Sequence, residues 1–470
     1  MDARPNPAHG LQTLRGIAAV STDELLQDDA RRERISTLVE LLEYRAERQG
    51  DDVVFRFVSG EGTEEERLTF RELRARAQAI AAGLRAHADP GDRVVLLVPP
   101  GLDYVASFFG CLIAGTVAVP AYPPNPRRAD PRVHRIIADS RAHVALVHSS
   151  LAARLESWLA LGDAPPQVRW LDVSQLRGNA ESPVRHAASG SELAMLQYTS
   201  GSTGEPRGVM LTHANLLHNS AVIHRVSAHR PGDNGVFWLP PFHDMGLIGG
   251  ILQPVYVGAP ATLMSPATFL QRPLVWLETM SRYRATTSGA PNFAYDLCVE
   301  RTTEEERASL DLSAWRTSFN GAEPVRADTI ARFVDAFAPS GLRPDVVVPC
   351  YGLAEATLIV SGGPAEGETR SEAASGRRRP VTTKSCSSRR AAPPRSTRWP
   401  SWTRIRRHRS APAASARSGC PARASRAAIG AVRRRRRRRS AHASPAARRR
   451  GSEPATSVRC ATACSSSPGD

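Results

Sequence analysis

Lysine and cysteine are scarce in this sequence. Its 470 residues include a single lysine, Lys384, and seven cysteines. No pair of Cys or His residues has the spacing of a zinc site. Cys111, Cys298 and Cys350 lie among apolar residues, which is typical of buried thiols. We therefore expect neither a zinc site nor an oxidising compartment.

Unbroken apolar runs are also missing. Residues 104–126 and 245–271 are uncharged, but glycine and proline interrupt both stretches. A buried helix that leads into a buried strand explains each stretch better than a membrane span does. Residues 1–20 lack the continuous apolar core of a signal peptide. We expect a cytoplasmic protein with no membrane span.

The positive charge is confined to one part of the chain. The formal net charge is +16, but residues 376–470 hold 26 Arg or Lys and two acids, so this segment carries +24 and the rest carries −8. The segment contains no Leu, Phe, Tyr, Met, Asn or Gln, and residues 433–439 are seven consecutive arginines. Such a composition cannot bury enough apolar surface to offset the entropy of ordering. We predict a disordered basic tail over residues 368–470.

Two explanations of the tail stay open. An abrupt change to Arg, Ala, Ser and Pro is what a wrong reading frame of GC-rich DNA encodes, so we hypothesise that residues beyond about 370 are out of frame. Translating the other two frames downstream of Gly367 tests this. The alternative is a basic tail that binds nucleic acid or an anionic membrane. Few aromatic residues other than Trp399 and Trp402 accompany the charges, so we expect no specific nucleic-acid partner.

Residues 1–367 have the periodicity of an α/β domain. Helical spacing marks residues 36–50, 69–84, 102–114 and 131–141. Apolar segments at 53–58, 93–98, 116–120 and 144–147 indicate strands. Strands that are apolar on both faces predict a mostly parallel sheet covered by helices. We predict a second α/β section from residue 193 to about 363.

The segment 198–213 joins two predicted strands through glycines and hydroxyls. Backbone N–H groups in such a loop come close to an anion, and the hydroxyls add donors. No Gly-Lys-Ser/Thr follows, so the segment is not a P-loop. It predicts a triphosphate-binding loop, although the loop residues alone also fit a Ser/Gly-rich surface turn. The candidate residues are Thr199, Ser200, Gly201, Ser202, Thr203, Gly204 and Arg207.

Three further segments carry candidate residues. In 238–249, His243 and Asp244 lie between a Pro-Pro pair and a glycine-rich helix start, which also fits a helix simply capped by Asp244. In 318–325, Ser-Phe-Asn-Gly-Ala-Glu-Pro-Val, a glycine after a strand permits the close approach of a flat ring. In 350–357, Tyr351 can stack on a ring, and Glu355 fits either a magnesium ligand or a solvated acid at a helix start.

Taken in order, the four segments resemble the motifs of adenylate-forming enzymes, a family of acyl-CoA synthetases, peptide-synthetase adenylation domains and luciferases. The resemblance covers roughly residues 35–367. Phe-His-Asp-Met-Gly-Leu at 242–247 and Leu-Ile-Val-Ser-Gly-Gly at 358–363 resemble fatty acyl-AMP ligases more closely. The resemblance implies the family's large N-terminal domain, an α/β fold of two βαβ-type subdomains with mostly parallel sheets.

The resemblance also implies a reaction. ATP would activate a fatty acid to acyl-adenylate, with Mg²⁺ as cofactor, and the acyl group would pass to an acyl carrier protein or a polyketide or peptide synthetase carrier domain. The alternatives are a long-chain fatty acyl-CoA synthetase and a non-catalytic nucleotide- or nucleic-acid-binding protein.

The family's motifs carry their roles onto matching residues here. Residues 199–204 and Arg207 would hold the β- and γ-phosphates, Glu355 and Thr199 the magnesium, and His243 the substrate carboxylate. The adenosine would contact Asn320, Gly321, Ala322, Glu323, Tyr351 and Gly352.

The sequence departs from the family in three ways. Arg207 stands where the family usually carries lysine, which keeps the charge. The family's later ribose-binding Asp and its lysine-bearing last domain are not found, and the neighbours of Lys384 match nothing in that domain. We therefore expect the chain as given to form adenylate poorly. The large domain of the family normally completes a β-barrel subdomain after the point where this chain becomes Arg-rich. We therefore also expect poor solubility, because that unfinished subdomain would expose apolar surface.

Overall fold

The computed structural model describes residues 35–123, 131–151, 168–176, 183–199 and 206–363. All of them lie in the first of the two units into which the chain divides, Met1–Arg379. The predicted disordered tail and residues 200–205 of the predicted phosphate loop fall outside the described residues.

Strands and helices alternate along the described part of the chain. The strands are β1 Val53–Val58, β2 Glu64–Thr69, β3 Arg93–Leu96, β4 Val117–Pro120, β5 Val144–Val147, β6 Arg169–Asp172, β7 Leu193–Thr199, β8 Arg207–Thr212, β9 Gly235–Phe237, β10 Ala261–Met264, β11 Thr287–Ala290, β12 Thr317–Asn320, β13 Val347–Pro349, β14 Tyr351–Gly352 and β15 Ile359–Ser361. The α-helices are α1 Leu38–Arg48, α2 Phe70–Arg85, α3 Leu102–Ile113, α4 Pro131–Ser140, α5 His213–Val226, α6 Gln253–Val257, α7 Pro266–Gln271, α8 Leu274–Arg282, α9 Asn292–Glu300, α10 Glu304–Ala308 and α11 Ala327–Phe337. A π-helix spans Met245–Leu252, and 3₁₀ turns span Ser149–Leu151, Ala338–Ser340 and Ala354–Ala356.

Threonines begin several helices. Thr37, Thr69, Thr212 and Thr303 each accept the N–H of the third helical residue, whose side chain bonds back to the threonine N–H. These reciprocal bonds are capping boxes, and they satisfy donors that the start of a helix leaves unpaired. Thr69 and Glu72 form one such box, at the start of the helix predicted over 69–84.

Two mostly parallel sheets form the scaffold, as predicted. The first sheet has the order β6-β5-β3-β4-β7-β8, in which only the β7–β8 pair is antiparallel. The second has the order β13-β12-β11-β9-β10-β1-β2, in which only the β1–β2 pair is antiparallel. A small antiparallel hairpin, β14–β15, follows.

The predicted division of the chain at residue 193 is wrong. Strands β7 and β8 complete the first sheet, whereas β1 and β2 belong to the second sheet, where β1 pairs with β10. Periodicity indicates where strands occur, but membership of a sheet depends on pairings between distant residues, which a local pattern does not report. Strands β2 and β6 were also not predicted, because their sequences Glu-Glu-Glu-Arg-Leu-Thr and Arg-Trp-Leu-Asp are largely charged.

Helix α3 lies in a core shared by both sheets. All of its residues except Asp103 are buried, and its cluster includes Val94 and Leu96 of the first sheet and Phe55 of the second. Full burial of one phenylalanine such as Phe108 contributes about 1.5–3 kcal/mol. The two uncharged stretches are therefore buried helices that lead into β4 and β10, as predicted. In the described residues, no helix has the length and apolar character needed to span a membrane.

Candidate functional site

A cavity of about 460 Å³ lies beside the second sheet. At one end, the lining residues are the last residues of strands or belong to the loops that follow them. This carboxyl edge is where open α/β sheets bind ligands. We call this end the mouth; it includes Thr199, His243, Ala322, Tyr351 and Glu355. The remainder, which we call the interior, is bounded mainly by apolar residues, among them Val226, Phe237, Gly249, Phe319 and Leu358.

The β7–β8 hairpin brings Thr199 to the mouth. Thr199 pairs with Arg207 across the hairpin, but Arg207 is exposed and lies outside the cavity wall. Beside them, the Tyr198 hydroxyl donates to Asp139 Oδ2 at 2.6 Å, and burial raises the pKa of Tyr198. The Tyr198 ring packs on Gly208, where a Cβ would come within 3.0 Å of it. The intervening candidates lie outside the described residues: Ser200, Gly201, Ser202, Thr203 and Gly204.

His243 stands at the mouth beside Asp244. Its Nδ1 lies 2.8 Å from Asp244 Oδ1, and 59% of its side chain is exposed. The same carboxylate oxygen accepts the N–H of Met245 at 2.7 Å, at the start of the π-helix. The hydrogen bond to Asp244 raises the pKa of His243, because a carboxylate favours the charged imidazolium. Asp244 therefore caps the helix and orients His243 at once.

Two buried side chains fix the segment before His243. The Tyr104 hydroxyl donates to the Pro241 carbonyl at 2.8 Å, and Gln197 Nε2 donates to the Phe242 carbonyl at 2.9 Å. Gln197 interrupts the apolar start of β7, and that interruption was the available sequence signal. Tyr104 gave no signal, because it belongs to a helix that is apolar on every side.

The loop after β12 presents backbone to the cavity. Gly321 and Ala322 line the wall, whereas Asn320 and Glu323 do not. Asn320 is fully buried, and its Nδ2 donates to Asn292 Oδ1 at 3.0 Å. Ala322 has a φ of +68°, which is uncommon for a residue other than glycine and clusters at functional sites. The buried Asn320 thus holds this loop in place through its hydrogen bond to Asn292.

Tyr351, Gly352 and Glu355 lie on the β14–β15 hairpin and line the mouth. Tyr351 is 61% exposed, so one ring face is free for a ligand. A Cβ on Gly352 would lie 2.1 Å from the Leu358 carbonyl oxygen, so only glycine fits there. Glu355 is exposed on the 3₁₀ turn inside the hairpin.

Asn219 of α5 holds this hairpin in place. Its Nδ2 donates to the carbonyls of Ile359 at 3.1 Å and Ala356 at 3.3 Å. Its Oδ1 accepts the Ile359 N–H at 3.1 Å, and the residue is 5% exposed. No local pattern predicts this contact, because the partners are backbone groups up to 140 residues away.

The interior is a slot between rings and small residues. The Phe237 and Phe319 rings are stacked with centroids 6.3 Å apart. A Cβ on Gly249 would have only ordinary contacts, at 3.8 Å from Leu358 and Phe319. Cys350 also lines the cavity and is only half-buried, which corrects the prediction of a buried thiol; Cys111 and Cys298 are buried as predicted. Burial raises the pKa of Cys350 to about 11, so its thiol is protonated at neutral pH.

The mouth has donors suited to magnesium. Among the described residues, no group of three or more His, Cys, Asp or Glu could hold a metal ion. Magnesium does not require such a group, since it keeps several waters and binds one or two carboxylates together with substrate phosphates. The carboxylate of Glu355 and the hydroxyl of Thr199 fit that pattern, because both line the mouth.

The chain matches the family model of AMP-binding enzymes over residues 42–384, and it belongs to that family. It is 44% identical over 331 residues to JamA, a medium-chain-fatty-acid–[acyl-carrier-protein] ligase of Moorena producens, a match covering 69% of this chain and 56% of JamA. It is 39% identical over 332 residues to a long-chain-fatty-acid–AMP ligase of Mycobacterium tuberculosis, a match covering 66% of this chain and 55% of that relative.

A solved structure shares the fold. The crystal structure of a fatty acyl-adenylate ligase from Legionella pneumophila, in complex with acyl adenylate and pyrophosphate, superposes with a TM-score of 0.65 at 42% identity. The match covers 71% of this chain and 58% of that one. The resemblance to fatty acyl-AMP ligases inferred from the motifs is confirmed. This chain spans little more than half the length of the relatives it matches, 56% of JamA for example.

Proposed function

We propose that the whole protein uses ATP to convert a fatty acid into an acyl-adenylate, releasing pyrophosphate. The observation that carries the proposal is the single cavity, in which a polar mouth continues into an apolar interior. A nucleotide at the mouth and an acyl chain in the interior would meet beside His243. The names of the relatives, ligases that act on fatty acids, support the same reaction.

The step itself needs positioning more than covalent chemistry. An oxygen of the substrate carboxylate attacks the α-phosphorus of ATP. The bond from that phosphorus to its bridging oxygen breaks, and pyrophosphate leaves with the electron pair. Asp244 orients His243 and raises its pKa, which favours the imidazolium form that attracts a carboxylate. Tyr351 stacks on the adenine ring, opposite the backbone of Gly321 and Ala322.

Charge on the phosphates is the main obstacle to this step. The loop at 199–204 and Arg207 hold the β- and γ-phosphates in this proposal, with Glu355 and Thr199 as ligands for Mg²⁺. When bound, the metal neutralises phosphate charge. Arg207 is exposed at the start of β8, paired with Thr199 across the hairpin.

The acyl group then passes to an acceptor thiol. We propose the phosphopantetheine of an acyl carrier protein or of a synthetase carrier domain, because JamA is named as an acyl-carrier-protein ligase. A relative of 38% identity over 340 residues is named as a putative fatty-acid–CoA ligase, so free CoA is the competing acceptor. Thioester formation measured in parallel on carrier protein and on CoA separates the two.

Binding of an unreactive acyl-adenylate mimic, an acyl sulfamoyl adenosine, tests the proposal without requiring turnover. Titration calorimetry should show one saturable site. Affinity should fall steeply when either the adenosine or the acyl part is omitted, because the two parts occupy different regions of one cavity. A mimic that binds no better than adenosine alone would contradict a joined site.

A further inference from the structure

The interior ends in a polar wall. Strands β9, β11 and β12 run parallel, and their first residues, Gly235, Thr287 and Thr317, line the cavity at the edge opposite the mouth. His229 and Asn234, which precede β9, line the same end. An unsubstituted acyl chain offers nothing to such groups, so the end of the cavity differs chemically from its middle.

Gln253 belongs to this end. Asp244 caps the first turn of the π-helix near the mouth, and Gln253 follows its last residue. The helix returns the chain from the carboxyl end of β9 to the start of the parallel strand β10, so Gln253 lies toward the amino edge. His243 and Gln253 therefore mark opposite ends of the helix that lines the cavity.

The Gln253 amide is unsatisfied. The residue is 3% exposed, and neither its Nε2 nor its Oε1 has a hydrogen-bond partner among the described residues. His229 Nδ1, in the same wall, is likewise buried without a partner there. Leaving buried polar groups unpaired is costly, and native structures usually pair them with protein, water or ligand.

Burial also determines what His229 can offer. It lowers the pKa of His229 to about 4, so the ring is neutral at pH 7. The charged groups near it oppose each other: His224 and Arg316 lower the pKa of His229, whereas Asp233 raises it. Asp233 lines the same end, but its carboxylate is paired with Arg316. The neutral imidazole and the neutral amide remain as unpaired donors and acceptors, which suits an uncharged oxygen function.

We propose that the acyl substrate carries a hydroxyl or oxo group remote from its carboxylate, and that Gln253 recognises this oxygen. The proposal rests on the proposed function, since it places the substrate carboxylate at the mouth. A site built to hydrogen-bond a substrate oxygen rejects the analogue that lacks it, because the buried polar groups stay unpaired. Gln253 thus selects among fatty acids without touching the reacting atoms.

Calorimetric binding of saturated fatty acids and matching ω-hydroxy acids of increasing length tests the proposal on the chain itself. At one length the ω-hydroxy acid should bind about tenfold or more tighter than its parent. Gln253→Met, which keeps the volume and removes both polar atoms, should abolish this preference and favour the parent acid. Gln271→Met, an exposed glutamine outside the cavity, should change nothing.

Each outcome bears on a distinct claim. A stable Gln253→Met protein, melting at or above the unaltered chain, shows that lost preference is not lost folding; Gln253→Leu provides a second test if the first variant unfolds. Parent acids that bind as tightly as ω-hydroxy acids at every length overturn the inference and leave the proposed function standing. A hydroxyl preference that persists in Gln253→Met also overturns it. No binding of any fatty acid defeats the proposed function, and the inference with it.

Discussion

The mouth and the interior of the cavity are built from different kinds of structural element. The mouth consists of loop and hairpin residues that are largely exposed, such as His243, Tyr351 and Glu355. The interior consists of residues on helices and strands that are buried or partly buried, such as Phe237, Gly249 and Gln253. Exposed loops can close around a charged nucleotide, whereas regular elements give an acyl chain a fixed length and shape. On the proposed function, the mouth would hold the reacting groups and the interior would select the acid.

Removing the carboxylate of Glu355 should have the largest effect. In the whole protein to which the proposed function applies, Glu355→Gln should lower acid-dependent ATP–pyrophosphate exchange by about 10²- to 10³-fold, because a preorganised charge at the phosphates is lost. Affinity for the fatty acid alone should be unchanged, since Glu355 belongs to the mouth. Glu65→Gln, an exposed carboxylate on β2 outside the cavity, is the matched control. An equal loss of exchange activity in Glu355→Gln and Glu65→Gln would show that the effect comes from surface charge and not from a role of Glu355 in the site.

The pKa values of two histidines, His213 and His243, are shifted in opposite directions, so the two should respond differently to acid. His213 is 3% exposed, its Nδ1 accepts the Leu38 N–H at 3.2 Å, and burial lowers its pKa to about 4. The unfolded chain takes up this proton near pH 6.5, before the folded chain does, so stability is lost as pH falls from 6.5 to about 4. The loss should approach about 3 kcal/mol for this group. His243 at the mouth shifts the other way, so its proton persists above its ordinary range.

Denaturant midpoints at pH 7 and pH 4.5 measure this effect. His213→Gln keeps an acceptor but does not titrate, so it should remove the part of the acid loss that comes from His213 and leave the part that comes from His229, whose pKa burial also lowers to about 4. His218→Gln, an exposed histidine on the same helix, should retain the full loss. A profile as steep in His213→Gln as in the unaltered chain would assign the acid sensitivity to other groups.

Filling the interior should alter selectivity without altering the chemistry. Gly249→Leu places a side chain between Phe319 and Leu358, which leave room at 3.8 Å from the new Cβ. Longer acids should lose roughly tenfold or more in kcat/KM, since a mismatch of one or a few methylenes costs about 1–3 kcal/mol. The shortest accepted acids should be spared. Gly60→Leu, at a turn with open space around it, should spare all lengths; a uniform loss in Gly249→Leu would indicate damage to the fold.

Loosening the hairpin should have the smallest effect. Asn219→Ala leaves the Ile359 N–H and two carbonyls without their partner. This loss costs about 1–3 kcal/mol and should reduce the local order of the β14–β15 hairpin. The KM for ATP should rise several-fold, while acid selectivity stays constant. Asn219→Asp keeps the acceptor for the Ile359 N–H, so its KM for ATP should lie between that of the unaltered chain and that of Asn219→Ala. A change in acid selectivity would show that the mouth and the interior are not separable.

The two regions also differ in how far the sequence predicts them. Motifs identified His243, Tyr351 and Glu355, and the structure brings all three to one cavity. They also named Arg207, Asn320 and Glu323, which lie outside the wall. Tyr104 and Asn219 could not be found, because each acts through a hydrogen bond to a distant backbone carbonyl, and such pairing leaves no periodicity in the chain. Gln197 acts in the same way, and its only signal was a polar residue within an apolar strand.

The exchange of strands between the two sheets has a consequence for synthesis. Phe55 of β1 pairs with Ala261 of β10, so a ribosome must add about 200 residues before the first strand meets its parallel neighbour. At 5–20 residues per second that wait lasts roughly 10–40 s. During it the β1–β2 hairpin lacks β10, and helices α1, α2 and α3 are the first described helices made that pack in the same core. The nascent chain thus offers a time window in which a chaperone can engage its first hundred residues.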